Sequence, residues 1–158
     1  MNSDRPHLIA LLRRANAVAL RAKALGRHPF GCLLVGPDGL TVLAEQGTID
    51  TVRHAESTLA LTASGNFSPE FLWDCTLVTT FEPCAMCAGT IYWANIGHVV
   101  YGASELQLLE LTGDAEENPT LDLPCRDLFA RGQKAINVTG PFPELLEELV
   151  APHREFWH

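Results

Sequence analysis

Apolar residues recur every three to four positions early in the chain, at Leu8, Leu11, Leu12, Ala15, Val18, Ala19, Ala22 and Leu25. That period predicts an amphipathic helix, stopped by Gly26. The pattern then shortens. Residues 30–35 form a compact apolar run, Gly36-Pro37-Asp38-Gly39 is a turn, and 40–44 is a second run, together predicting a β-hairpin. A helical period returns over 54–64 and ends near Gly65. Residues 66–74 read as a connection to a third strand at 75–80. Pro83 opens a helix to about Asn95 that is apolar on nearly every side and so expected to be buried. A fourth strand follows at 98–101, then a short helix at 104–111, a polar loop at 112–124, a helical turn or two at 126–131 and a fifth strand at 135–138. Pro143 at a first helical position starts a last helix, with Leu145, Leu146, Leu149 and Val150 forming its apolar stripe.

This order of elements implies an α/β fold, a three-layer α/β/α sandwich around a five-stranded mixed sheet. Strands three, four and five are joined through helices, so they are expected to lie parallel with right-handed crossovers. The 158 residues show no repeat or interdomain linker. One domain over 1–158 is expected, with 143–158 as its C-terminal helix and aromatic tail.

Composition narrows the partners. Hydrophobic residues make up 47% of the chain, enough for a core, and the net charge is −8 from 19 acidic and 11 basic residues. Such a surface repels phosphate backbones, and the basic residues are scattered, with only Arg13-Arg14 adjacent. Nucleic acid is therefore an unexpected partner. No apolar run approaches the ~20 residues of a membrane span. The five cysteines are an odd number and do not read as a disulfide framework, so a cytoplasmic location is expected. Cys32 and Cys75 lie in strand-like runs and read as core residues.

Two other cysteines carry the chemistry. His54-Ala55-Glu56 is followed, after residues 57–82, by Pro83-Cys84-Ala85-Met86-Cys87. The set supplies one imidazole, two thiols and a carboxylate left over. Residues two apart on a helix face different ways, so His54 and Glu56 can flank a metal only at a helix N-terminus. Cys84 and Cys87, three apart, share a face just after Pro83, where helix amides favour thiolate charge. A zinc held by one His and two Cys keeps its fourth position open, which marks catalytic rather than structural sites. A redox Cys-x-x-Cys pair has no use for the upstream His-x-Glu, and no fourth ligand stands at structural-zinc spacing nearby. Glu56 is then the group that moves protons.

This signature, H-x-E followed by P-C-x-x-C, is that of zinc nucleobase deaminases. With His28-Pro29-Phe30-Gly31, the run 81–89 and Val99-Val100-Tyr101-Gly102-Ala103, the chain resembles the cytidine-deaminase-like superfamily, in the branch of guanine, fungal cytosine and tRNA adenosine deaminases. The resemblance covers about 8–138. It implies one zinc per chain on His54, Cys84 and Cys87, Glu56 as proton shuttle, a small base or nucleoside as substrate, and a homodimer. Ile91-Tyr92-Trp93-Ala94 is similar to bacterial guanine deaminases, which implies Trp93 near the base. Phe156-Trp157 resembles the aromatic tail that closes the pocket in that branch. Phe30, Ala55 and Thr48 complete the expected substrate contacts. These families usually carry an asparagine before the H-x-E loop; that position here is Gly47, between Gln46 and Thr48. The Phe-Asp-Asp segment typical of guanine deaminases has no counterpart in 104–118.

The expected activity is hydrolytic deamination of a guanine- or cytosine-type amino-substituted ring, releasing ammonia. Two alternatives stay open: a tRNA adenosine deaminase, which the acidic balance disfavours, and a non-catalytic nucleobase-binding protein, which has no need for Glu56.

Overall fold

The computed structural model describes residues 4–157. A long helix α1 (Arg5–Ala24) leads into β1 (Gly31–Val35) and β2 (Val42–Gly47). Then come α2 (Ala55–Asn66), α3 (Pro69–Trp73), β3 (Thr76–Phe81), α4 (Ala85–Ala94), β4 (His98–Ala103) and α5 (Glu105–Thr112). The chain closes with α6 (Cys125–Ala130), β5 (Asn137–Thr139) and α7 (Leu146–Val150), the last flanked by 3-10 turns at Pro143–Leu145 and Ala151–His153. The sheet order is β2-β1-β3-β4-β5. β1 runs antiparallel to both β2 and β3, while β3, β4 and β5 are parallel, as the helical connections required.

Alternation along the strands sorts the core into two layers. Cys32, Leu34, Leu77, Val99 and Tyr101 face α2, α4 and α6, with Leu59, Ala60, Ala88, Ile91 and Phe129 packed on them. Their neighbours Leu33, Val35, Val78 and Val100 face the other way, onto Leu8, Leu12 and Ala15 of α1 and Leu149 of α7. The result is the expected α/β/α sandwich, and Cys32 in β1 and Cys75 just before β3 are fully buried core residues.

Three expectations need correction. Residues 66–74 hold a short helix, α3, because Ser68 accepts a bond from the Phe71 amide and Pro69 pre-sets the first turn. The last helix is broken into an α-turn between two 3-10 turns, although Leu145, Leu149 and Val150 still bury their stripe. Helix α4 is not buried all round. It buries Cys87, Ala88, Ile91 and Ala94 on one side and leaves Met86 and Trp93 exposed on the other.

Candidate active site

Two helices point their N-termini at one spot. His54 is the N-cap of α2 and Cys84 the N-cap of α4, both in extended conformation, and neither side chain caps its own helix. Both side chains are thereby free to turn toward each other. Cys87, in the first turn of α4, joins them. His54 Nδ1 lies 3.6 Å from Cys84 Sγ and 3.6 Å from Cys87 Sγ.

That spacing fits zinc. Bonds of ~2.0–2.1 Å to nitrogen and ~2.3 Å to sulfur at a tetrahedral angle place N and S about 3.6 Å apart. The three ligand atoms fall within 4.8 Å of one another. The imidazole is also set in the right tautomer. His54 Nε2 lies 2.9 Å from the Thr51 carbonyl, a pure acceptor, so Nε2 carries the proton and Nδ1 presents its lone pair to the metal position. Without metal, a hydrogen bond from the Cys87 thiol pulls the Cys84 thiol down to about 4, against the opposing effect of burial. The ligand set is thus prepared for a cation.

Glu56 sits in the first turn of α2, 5% exposed, beside this cluster. Burial raises its pKa, while a hydrogen bond from Thr79 opposes that rise. Thr79 belongs to the β3 face that already packs on α2, two residues after Leu77, which is why its hydroxyl meets Glu56 at 2.5 Å. Glu82, just past β3, has a different task. Its two oxygens accept the backbone N–H of Glu105 (2.9 Å) and of Cys125 (2.7 Å), the first residues of α5 and α6. One buried carboxylate therefore tethers two helix N-termini to the end of β3.

These parts surround a cavity of about 280 Å³. His28, Phe30, Thr48, Thr51, His54, Glu56, Phe81, Cys84 and Glu105 line it. Glu117, Asn118, Pro119, Thr120 and Leu121 close it from the 112–124 loop. Four glutamates and two histidines contribute to the wall, and no Lys or Arg among the described residues does.

Residues 6–103 match the family described as the cytidine and deoxycytidylate deaminase zinc-binding region. The chain belongs to this family. A probable cytosine deaminase from Schizosaccharomyces pombe is 35% identical over 153 residues, covering 94% of this chain and 91% of that protein. The solved guanine deaminase of Bacillus subtilis is 28% identical with a TM-score of 0.56, covering 99% of this chain and 94% of that one. The guanine deaminase of Nitrosomonas europaea, at 21% identity and a TM-score of 0.67 over 99% of this chain and 85% of that one, shares the fold. The deaminase is zinc-dependent, as its family and its three-ligand cluster require.

The structure of the deaminase distributes the residues picked from sequence unevenly. His54, Glu56, Cys84 and Cys87 come together, and Phe30 and Thr48 line the cavity beside them. Gly47 turns the other way: a Cβ there would meet Ala22 Cβ at 3.1 Å, so the backbone at 47 faces α1 and not the cavity. Ala55 is fully buried in the first turn of α2 and is not part of the wall. Trp93 is 81% exposed, two residues from the inward-facing Ile91, and packs on Tyr92 and Lys134 outside the cavity. Phe156 and Trp157 stay outside the wall but stack edge-on against His28, with centroids at 5.9 and 4.7 Å. They brace the rings that form the wall.

Sequence reasoning missed Thr79, Thr51, Glu105 and the 117–121 segment. Thr79 had a findable signal, since it follows Leu77 by two in a strand expected to face the helix of Glu56. The loop had none, because its polar composition says nothing about where it folds.

Proposed function

We propose that this deaminase removes the exocyclic amine of a small, uncharged base or nucleoside by hydrolysis, with His54, Cys84 and Cys87 holding zinc and Glu56 carrying protons. The observation that carries this reading is a buried carboxylate beside a three-ligand cluster, at one cavity with room for a single heterocycle. About 280 Å³ is near the lower limit of small-molecule sites. Relatives named cytosine deaminase and guanine deaminase support the reading, and so do structural neighbours solved with 8-azaguanine and with 2,6-diaminopurine.

A zinc ion held by the two thiolates and the imidazole would supply the activation of water, lowering its pKa from ~16 toward ~7. Glu56 takes a proton from the attacking water and gives it to the ring nitrogen beside the amine-bearing carbon. A C–O bond forms as the C=N bond becomes single. Glu56 then takes the proton of the newly added hydroxyl and passes it to the amine, the C–N bond breaks, and ammonia leaves as the oxygen becomes a carbonyl. One carboxylate serves as base and acid in turn. The phenyl rings of Phe30 and Phe81, with centroids 5.7 Å apart, give a planar base an apolar wall.

A tRNA substrate fits this wall poorly, because the lining carries Glu56, Glu82 and Glu117 and meets phosphate with like charge. A homodimer and a cytoplasmic setting belong to the same proposal. The first is supported by Trp93 and Met86 exposed on the helix that carries Cys87, the second by five free cysteines. Ammonia release from a panel of guanine, cytosine, adenine and their nucleosides tests the activity; zinc-loaded protein inert on every member would overturn it.

A further inference from the structure

Buried polar atoms in folded proteins nearly always have a hydrogen-bond partner, so two orphans on one cavity wall ask what enters the cavity. Glu105 is 4% exposed, and its Oε2 has no partner. Thr48 is 2% exposed, and its Oγ1 has none either. Both residues line the cavity that Glu56, His54 and Cys84 line.

Neither is loosely held. Glu105 opens α5, where a capping box fixes the turn: the Gln107 amide donates to Ser104 Oγ at 3.1 Å, and the Ser104 amide donates to Gln107 Oε1 at 2.8 Å. The Glu105 amide donates to Glu82 Oε1 at 2.9 Å. The Thr48 amide donates to the Phe30 carbonyl at 3.2 Å. Backbone bonds thus aim two side chains that bond to nothing else in the free protein.

We infer that Glu105 and Thr48 are the specificity-determining pair of the site, reading a ring edge that offers a donor beside an acceptor. The inference rests on the deaminase reading above. No Lys or Arg among the described residues pairs with Glu105, and a buried, unpaired carboxylate is strongly disfavoured. Burial, followed by the negative charge of Cys84, Glu56 and Glu82, pushes Glu105 up to about 9. A neutral carboxylic acid presents one O–H donor and one carbonyl acceptor side by side, and a threonine hydroxyl adds one of each. Their complement is a lactam edge, an N–H next to a C=O. The substrate class is therefore an amino-substituted ring that keeps a lactam, as guanine and cytosine do, and not one that lacks it, as adenine does.

The test uses the zinc-loaded full chain and the variants Glu105→Gln, Glu105→Leu and Thr48→Val. Kinetics on guanine, cytosine and adenine are read beside calorimetric binding of 8-azaguanine, which has the lactam edge, and 2,6-diaminopurine, which lacks it. Zinc content and melting temperature establish that each variant is folded and loaded. Glu105→Leu is expected to weaken 8-azaguanine binding and raise KM for the lactam base by about tenfold or more, and to erase the preference over 2,6-diaminopurine. Glu105→Gln, which also presents a donor beside an acceptor, is expected to restore both to within a few-fold. Thr48→Val is expected to fall between. Wild-type affinity and selectivity in Glu105→Leu would overturn the inference. So would a Glu105→Gln protein that is folded and loaded yet as impaired as Glu105→Leu, since a charge would then be required. If the wild type binds 8-azaguanine in this graded way but deaminates nothing, the pair stands and the deaminase reading fails. If it binds neither ring, the pair falls.

Discussion

The hydroxyl of Thr79 stands 2.5 Å from Glu56 Oε1. The same oxygen is 3.0 Å from the Phe81 carbonyl. A hydroxyl has one proton to donate and two lone pairs to offer. When Glu56 is ionised, Thr79 donates to it. When Glu56 carries a proton, Thr79 turns its own toward the Phe81 carbonyl and accepts from Glu56. The contact therefore survives both protonation states of Glu56 and holds the carboxyl in one place.

Thr79→Val keeps the shape of the side chain and removes this contact. A hydrogen bond to a charged group is worth ~1.5–3 kcal/mol. The expected result is a kcat lower by about 10- to 100-fold, with KM little changed because Thr79 does not line the cavity. Thr79→Ser restores the hydroxyl and most of the rate. Steady-state kinetics on the best base separates these outcomes, and a valine variant with unaltered kcat would remove Thr79 from the machinery.

The metal makes a separate prediction. Elemental analysis of purified protein should give about one zinc per chain. Cys84→Ala and Cys87→Ala each leave two of the three ligands and should lose the metal. Glu56→Gln touches no ligand and should keep full zinc while losing roughly 10²- to 10⁴-fold in turnover. Full occupancy in both cysteine variants would move the metal elsewhere.

How far the sequence reaches depends on the kind of order involved. The ligands were legible because their spacing is local: His54 and Cys84 had to be N-caps for His54, Glu56 and Cys87 to converge, and they are. The parallel strands followed from the helical connections. Trp93 was placed near the base by its likeness to guanine deaminases, yet it is 81% exposed, and a helix as apolar all round as α4 does not reveal which of its faces the protein covers. Gly47 was aligned with a base-reading position, but a close approach of α1 decides its direction, and that contact is visible only in three dimensions. Glu82 appears in sequence as part of the motif around the thiols. Its bonds to the amides of Glu105 and Cys125 span 23 and 43 residues. Long-range tethers of this kind leave no periodic trace.

His153 predicts how stability responds to acid. It is 2% exposed, packed between the rings of Phe30 (4.9 Å) and Phe81 (4.7 Å), with its Nδ1 accepting from Trp157 Nε1 at 3.2 Å. Burial lowers its pKa from 6.5 to about 3. Between those values the unfolded chain binds a proton that the folded chain refuses, so stability falls as pH drops through that window. The slope from this one group is at most ~1.4 kcal/mol per pH unit. Melting temperatures measured from pH 7 to 4 should fall less steeply in His153→Gln than in the wild type. Parallel curves would show that His153 takes no part in the acid response.

The tail sets the last prediction. Trp157 stacks on His28 at 4.7 Å and tilts over Phe30 at 6.2 Å, while Phe156 meets His28 at 5.9 Å. His28 and Phe30 line the cavity; the two tail aromatics stand behind them. Phe156 and Trp157 therefore touch the cavity only through the wall they support. Removing them exposes the outer faces of His28 and Phe30 to water and releases their rotamers, loosening the apolar surface that a planar base requires. The zinc ligands lie on α4 and at the start of α2, and no tail residue among the described ones bonds to them. Deleting 154–158 should therefore leave zinc content unchanged and raise KM several-fold. The effect on kcat should be smaller, since Glu56 and Thr79 keep their places. Phe30→Ala, which removes the wall itself, should reproduce the KM defect in the full-length chain, and combining it with the deletion should add little. Additive losses in the double variant would show that the tail reaches the substrate by a route that does not pass through Phe30.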